Sequence, residues 1–298
     1  MGSAMTELGT GRWSKEYAVA VAAVREAAEA IRGYYDAASA AVYTKADASP
    51  VTDADLASDR ILRAHLTTAF PDDAILSEEV EDDRARLSND RVWLADPLDG
   101  TQQFIDRTGA FDVFLALVVG GRPVVAATAH PPSGTVLSAI EGRGAWFDTG
   151  AGPKPLRVPA LDPAIRPRLS TNRYHTLPED WPLLVAVAEE AGFTPPPGPH
   201  PAHPRAYFVE TGGPDYEAFM GIGRGPNGAT VGGEWDLAAP DLILHEAGGR
   251  FTDELGRTIT YNRDHAAISH GIIAAIDPAY NDLLASTLAT LRGAGSSR

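Results

Sequence analysis

Two carboxylates close the apolar part of the segment Arg91–Phe104, RVWLADPLDGTQQF. Val92-Trp93-Leu94-Ala95 leads into Asp96, and Asp99, Gly100 and Thr101 follow. The apolar run reads as a buried strand, and Gly-Thr as a turn opening onto a helix. Burying one unpaired carboxylate is expensive, and a second one so close repels the first. Divalent cations remove that objection, because hard oxygen donors on neighbouring turns suit Mg²⁺. The peptide N–H groups after Asp99 can in turn hold an anion at a helix start. Together these groups offer a phosphate site with its own metal ions. An Asp-Gly turn alone is common. It is the whole DPLDGT string that departs from ordinary architecture.

Three other stretches carry groups that suit the same chemistry. AILSEE, after Pro71, reads as a short apolar strand that ends in Ser77, Glu78 and Glu79. Adjacent glutamates are usually solvated, and Glu81, Asp82 and Asp83 just beyond read as an exposed acidic loop. Glu78 differs by standing directly at a strand end. Thr52, with Asp55 three residues on, has the form of a capping box that satisfies first-turn N–H groups. Asp236 precedes an apolar helical pattern that Gly248 ends, the form of an Asp N-cap and a glycine stop. His245 falls inside that helix as a packed or paired residue.

The elements that must position these groups follow from the patterning. Glu16 to Arg32 has helical spacing and predicts a long first helix ended by Gly33. A loop, Lys45 to Pro50, precedes a second helix over residues 51–70. Residues 113–147 read as strands joined at Gly120-Gly121 and Pro132-Ser133-Gly134, a large antiparallel sheet. Leu156 to Pro163 is the passage to a second half, which holds a strand, a helix over Pro182 to Ala191, a Pro/His loop and a hairpin at FTDELGRTI. The expected organisation is an N-terminal α+β half, 5–160, with the metal-binding motifs, and a C-terminal α/β half, 161–298, with substrate-side loops. Met1–Ala4 reads as a cloning scar ahead of a start at Met5.

The 298 residues suffice for one large or two intimate domains, and 44% hydrophobic with 22% charged residues is ordinary for a globular protein. With no cysteine, any metal must be held by oxygen or histidine. His200 and His203 lack a fitting partner spacing and read as solvated loop residues. The glycine-rich stretch Gly221–Gly233 lacks a Gly-Lys-Ser/Thr ending, and Pro226 spoils a dinucleotide fingerprint; it reads as a mobile loop beside the active site. A net charge of −15 argues against nucleic-acid or anionic-membrane surfaces. Clustered carboxylates that bind Mg²⁺ reconcile this charge with a phosphate substrate. No apolar run long enough to span a bilayer and no signal peptide are seen, so the cytoplasm is the expected location.

DPLDGT resembles the signature of the Mg²⁺-dependent, lithium-sensitive phosphatases of the inositol monophosphatase superfamily. AILSEE resembles the family's Glu-Glu motif, and Trp-Asp-x-Ala-Ala with Glu-Ala-Gly-Gly and Thr-Asp, at 235–253, resembles its other signature. The likeness runs in order from the first helix to about Asn281. It implies a fold of alternating helix and sheet layers. It also implies that Glu78, Asp96, Asp99, Asp236 and the carbonyl of Leu98 bind two or three Mg²⁺, with inhibition by Li⁺. In the family an Asp after a Ser-Pro-Val-Thr stretch pairs with the Thr of the DGT turn; Asp55 and Thr101 match these, and Lys45 approximately matches the loop lysine. Thr101, oriented by Asp55, would position or deprotonate the attacking water, and amides of Gly100 and Thr101 would hold the phosphate. Hydrolysis would be a direct in-line displacement without a phosphoenzyme.

AILSEE, DD-x-ARL, DRVW and DPLDGT are most similar to the bacterial branch acting on 3'-phosphoadenosine 5'-phosphate, which implies that ester or a related nucleotide as substrate. An inositol, sugar or specialised nucleoside phosphate stays open, because Gln103 stands where that branch often has Glu. In addition, no Gly-Ser-containing substrate stretch is recognisable between Arg205 and Glu210, and the glycine-rich insertion is unusual. A non-catalytic Mg²⁺- or nucleotide-binding regulator would lack ligands that this chain keeps. Lys45, Glu79 and Gln103 are the candidate substrate or loop contacts. Partners are a small phosphate ester, no nucleic acid and no membrane, with a monomer or homodimer as the assembly.

Overall fold

Alanine dominates the buried face of the first helix, α1 (Ser14–Ala37), where Ala20, Ala23, Ala27 and Ala28 share a stripe with Tyr17, Val24 and Ile31. That is the spacing of a helix laying one face on a core. Its end corrects the expectation at Gly33, which is exposed within the helix. The following turn brings Tyr35 against Phe104 and Phe111, with centroids 5.5 and 4.8 Å away. Those ring contacts offset the roughly 1 kcal/mol that a helical glycine costs. The computed structural model describes residues 10–45, 49–172, 175–198, 216–223 and 232–295. The expectations for Met1–Ala4, His200, His203, 205–210 and most of the glycine-rich loop lie outside the described residues.

β1 (Val42–Thr44) and β2 (Pro50–Thr52) form an antiparallel ribbon that flanks the Lys45 loop. α2 (Asp53–Ala69) starts directly from it. β3 (Ala74–Ser77) and β4 (Arg91–Asp99) then run parallel, and a five-residue helix, α3 (Thr101–Ile105), follows the DPLDGT turn. β5 (Asp112–Val119), β6 (Arg122–His130), β7 (Thr135–Ile140), β8 (Gly144–Asp148) and β9 (Lys154–Leu156) complete a seven-stranded sheet in sequence order. It is antiparallel everywhere except β3–β4. The β4–β5 register shifts between Asp96 and Asp99, so the ladder is broken where the two carboxylates stand. Such irregularities re-aim side chains. Leu62, Leu66, Trp93, Leu115 and Leu117 join α1, α2 and the sheet in one core.

A second core forms around a four-stranded sheet. Its elements are β10 (Leu169–Ser170), α4 (Trp181–Glu190), β11 (Ala218–Gly221), β12 (Arg250–Asp253), β13 (Ile272–Ala275) and α6 (Pro278–Gly295), with α5 (Glu234–Ala247) between β11 and β12 in the chain. Strand order is β10-β11-β13-β12. Leu184 and Val187 of α4 and Leu284 and Leu288 of α6 pack with Met220 and Ile273. β12 does not form the hairpin expected at FTDELGRTI. It pairs antiparallel with Ile272–Ala275, an apolar strand better able to bury Phe251. His245 is exposed on α5 rather than packed.

The chain divides into two compact units. One comprises Met1–Leu156 with Glu234–Ile243 and Tyr261–Ala266; the other comprises Arg157–Gly233, Leu244–Thr260 and Ala267–Arg298. The first is α+β and the second holds the four-stranded sheet with its helices. No described helix is long and apolar enough to cross a membrane.

Candidate active site

β3 delivers Glu78 just past its last residue, β4 delivers Asp96 and Asp99, and the first turn of α5 delivers Asp236. One oxygen each of Glu78, Asp96 and Asp236 lie within 4.8 Å of one another. Asp236 is not the helix cap that its local pattern implied. Glu234 begins the helix, and Asp236 stands inside the first turn, where its carboxylate reaches the other two. Asp99 falls outside this triad and is the register partner of Asp112 on β5. Its charge still acts on Asp96 and Glu78.

Burial and crowding set the electrostatics. Asp96 is 1% exposed, and its pKa is pushed well above the usual carboxylate range by burial, then by Glu78, Asp236 and Asp99. Burial also raises Glu78, against the opposing pull of Lys45. Glu79 is pushed up to about 7 by burial, with the Lys45 hydrogen bond opposing and the Glu78 charge adding. Lys45 Nζ donates to Glu78 Oε1 and Glu79 Oε1, both at 2.8 Å. Burial works to lower the lysine, but the two glutamates outweigh it and hold the ammonium charged. Three convergent carboxylates, of which Glu78 and Asp96 resist ionisation, form an all-oxygen donor set with surplus negative charge. That set fits Mg²⁺ better than a soft transition metal.

Asp55 accommodates both the cap and the expected pairing with Thr101, since each of its oxygens serves one. Oδ2 accepts from the Thr52 N–H at 2.8 Å and from the Thr52 hydroxyl at 2.5 Å. Thr52 Oγ1 in turn accepts from the Ala54 N–H, completing the capping box. Oδ1 accepts from the Thr101 hydroxyl at 2.8 Å. Burial raises the Asp55 pKa, and the hydrogen bonds from Thr52 and Thr101 oppose the rise. Gly100, between Asp99 and Thr101, has φ +93, and a Cβ there would sit 2.9 Å from the Ala110 carbonyl. Only glycine fits that turn without strain. The Leu98 carbonyl is 3.3 Å from Thr101 Oγ1, and Gln103 is buried within α3.

Several supporting residues escaped the reading of the sequence. Ser58 Oγ donates to the Pro97 carbonyl at 2.7 Å, and Ser77 Oγ donates to Asp59 at 2.6 Å, which fixes α2 to both strand ends. Asp82 is half-buried rather than solvated, because Arg86 Nε and Nη2 grip both its oxygens. The i,i+4 spacing of Asp82 and Arg86 was the available signal.

Residues 12–178, more than half of the chain, match the inositol monophosphatase family. The chain is 32% identical over 254 residues to the 3'(2'),5'-bisphosphate nucleotidase CysQ of Salmonella typhimurium, covering 85% of this chain and 96% of that protein. Identity to the CysQ of Escherichia coli O157:H7 is 40% over 136 residues, 45% of this chain; that match spans 55% of the relative's length. The crystal structure of CysQ from Bacteroides thetaiotaomicron, a bacterial member of the inositol monophosphatase family, superposes with a TM-score of 0.70 at 25% identity. It covers 88% of this chain and 97% of that one. Signature, fold and carboxylate triad thus agree: the chain belongs to the inositol monophosphatase family.

Proposed function

We propose that this phosphatase hydrolyses a nucleoside bisphosphate, 3'-phosphoadenosine 5'-phosphate or a close analogue, using Mg²⁺ held by Glu78, Asp96, Asp99, Asp236 and the Leu98 carbonyl. The observation that carries the reading is the convergence of three carboxylates within 4.8 Å, with the Thr101–Asp55 pair set by the same turn. When bound, Mg²⁺ supplies polarisation of the phosphoryl oxygens, acidification of water and neutralisation of the leaving oxygen. The chain supplies the rest. With its proton committed to Asp55, Thr101 offers its oxygen as an acceptor for a proton of the attacking water. Asp55, its pKa raised by burial, is the more basic end of that relay. The Gly100 and Thr101 amides hold the non-bridging oxygens. Water attacks phosphorus as the ester oxygen leaves, with no phosphoenzyme between.

The substrate class is supported by the nucleotidase relatives that align over most of the chain. The test is phosphate release with Mg²⁺ from 3'-phosphoadenosine 5'-phosphate, inositol 1-phosphate, fructose 1,6-bisphosphate, histidinol phosphate and nucleoside 5'-phosphates. Strong preference for the first, suppressed by Li⁺, is expected. Equal or greater turnover of inositol 1-phosphate would move the substrate assignment while keeping the cation site. Release that is indifferent to Mg²⁺ would overturn the cation site.

A further inference from the structure

Arg86 is 3% exposed, an unusual place for a guanidinium. Burying such a charge is costly unless its donors are matched, and an apolar residue of similar volume would avoid the cost. The donors of Arg86 are matched from two distant parts of the chain. Nε donates to both oxygens of Asp82 at 3.1 Å, and Nη2 donates to Asp82 Oδ2 at 2.9 Å. Nη1 donates to Asn262 Oδ1 at 2.7 Å, and Nη2 also donates to the Arg263 carbonyl at 2.9 Å. Burial opposes ionisation of Asp82, but its bonds from Arg86 and the Arg84 N–H hold the carboxyl below its usual range.

The turn that Arg86 grips is itself built around Glu234, which is fully buried. The Asn262 N–H donates to Glu234 Oε2 at 2.6 Å; the Arg263 N–H and Nε donate to Oε1 at 3.1 and 2.9 Å. Asn262 holds φ +58 to present both N–H and Oδ1 in these directions. The Glu234 N–H donates to the Ala266 carbonyl at 2.8 Å. A continuous path results, from Asp82 through Arg86 and the 262–263 turn to Glu234. Each end lies close in sequence to a carboxylate of the triad: Asp82 four residues after Glu78, Glu234 two residues before Asp236.

We propose that Arg86 is a positioning residue that ties the segment after Glu78 to the turn anchoring the start of α5, and so sets the spacing of Glu78 from Asp236. This rests on the reading of Glu78, Asp96 and Asp236 as cation ligands. Residues behind metal ligands typically change affinity by ten- to a hundredfold when removed.

The test uses the full chain and Mn²⁺ as the probe, titrated by electron paramagnetic resonance, with Asp96→Asn defining which bound Mn²⁺ belongs to the triad. Arg86→Met removes the whole link. Asn262→Gly removes the Oδ1 acceptor, along with a 3.4 Å bond from Nδ2 to the Asn89 carbonyl, while keeping the positive φ, and Arg86→Lys keeps the charge without the fork. Both Arg86→Met and Asn262→Gly should weaken the Asp96-dependent Mn²⁺ site about tenfold or more in protein with native circular dichroism. The Mg²⁺ concentration for half-maximal phosphate release should rise by the same factor, with kcat recovered at high Mg²⁺, and Arg86→Lys should fall between. Wild-type Mn²⁺ affinity in a folded Arg86→Met, or in Asn262→Gly should the first not fold, would overturn the proposal and leave Arg86 a purely structural residue. A wild-type protein without Asp96-dependent Mn²⁺ binding would instead overturn the cation site itself, and this proposal with it.

Discussion

Each oxygen of Asp55 makes separate contacts, one set with Thr52 and one with Thr101, and the two can be taken apart by substitution. Thr52→Ala removes the cap, so it should cost about 1 kcal/mol of stability with kcat changed little. Thr101→Ala leaves the cap in place, so it should lower kcat by roughly a hundredfold at near-native stability. Parallel thermal melts and steady-state assays decide; an unchanged kcat in Thr101→Ala would mean that Asp55 serves only as a cap. Asp96 carries a pH signature of its own. Its folded pKa lies above the unfolded value, so its ionised form opposes folding. That contribution is absent below the unfolded pKa and grows as pH rises toward the folded one. Metal-free Asp96→Asn should therefore melt above wild type, by a margin that widens as pH rises above the ordinary carboxylate pKa. Saturating Mg²⁺ should reverse the order. A margin independent of pH would sink the assignment of burial and like charge as the cause. The carboxylates themselves could be found from residue type and spacing. The Lys45 clamp on both glutamates and the burial of Arg86 could not, because each depends on which distant segments come together.

At the scale of elements, boundaries moved where a tertiary contact overrode a local signal. Gly33 is a reasonable stop by itself, yet Tyr35 carries α1 onward into the Phe104–Phe111 cluster. A side chain at Gly33 would meet nothing within 4 Å, and its φ is not positive. Gly33→Ala should accordingly stabilise the protein by about 0.5–1 kcal/mol, read as a rise of roughly 1–3 °C in Tm. A fall in Tm would show that the helix depends on the flexibility of glycine there. The same competition explains α5. Asp236 has the chemistry of an N-cap, but Glu234, locked by the 262–263 turn, begins the helix first and leaves Asp236 to face Asp96. The strands between Asp112 and Asp148 were readable because their apolar runs and glycine turns are local facts. The pairing of β12 with β13 was not, since the partner lies beyond an intervening stretch.

Over the whole molecule, the composition narrowed the chemistry more than the substrate. The absence of cysteine and a charge of −15 directed attention to oxygen-bound cations. Nothing comparable in the composition marks the ester. The division of the chain has a further consequence, for the order in which the protein can be made. Glu78 and Asp96 belong to a sheet complete by Leu156, whereas Asp236 and the 261–266 segment join that unit only after a long excursion of the chain. A nascent chain emerging from its N-terminus can thus build the seven-stranded sheet long before the proposed cation site is complete. Closing so distant a contact is a late event in folding. A bound cation should accordingly slow unfolding while leaving the folding rate nearly untouched, so that catalytic competence reports a finished chain.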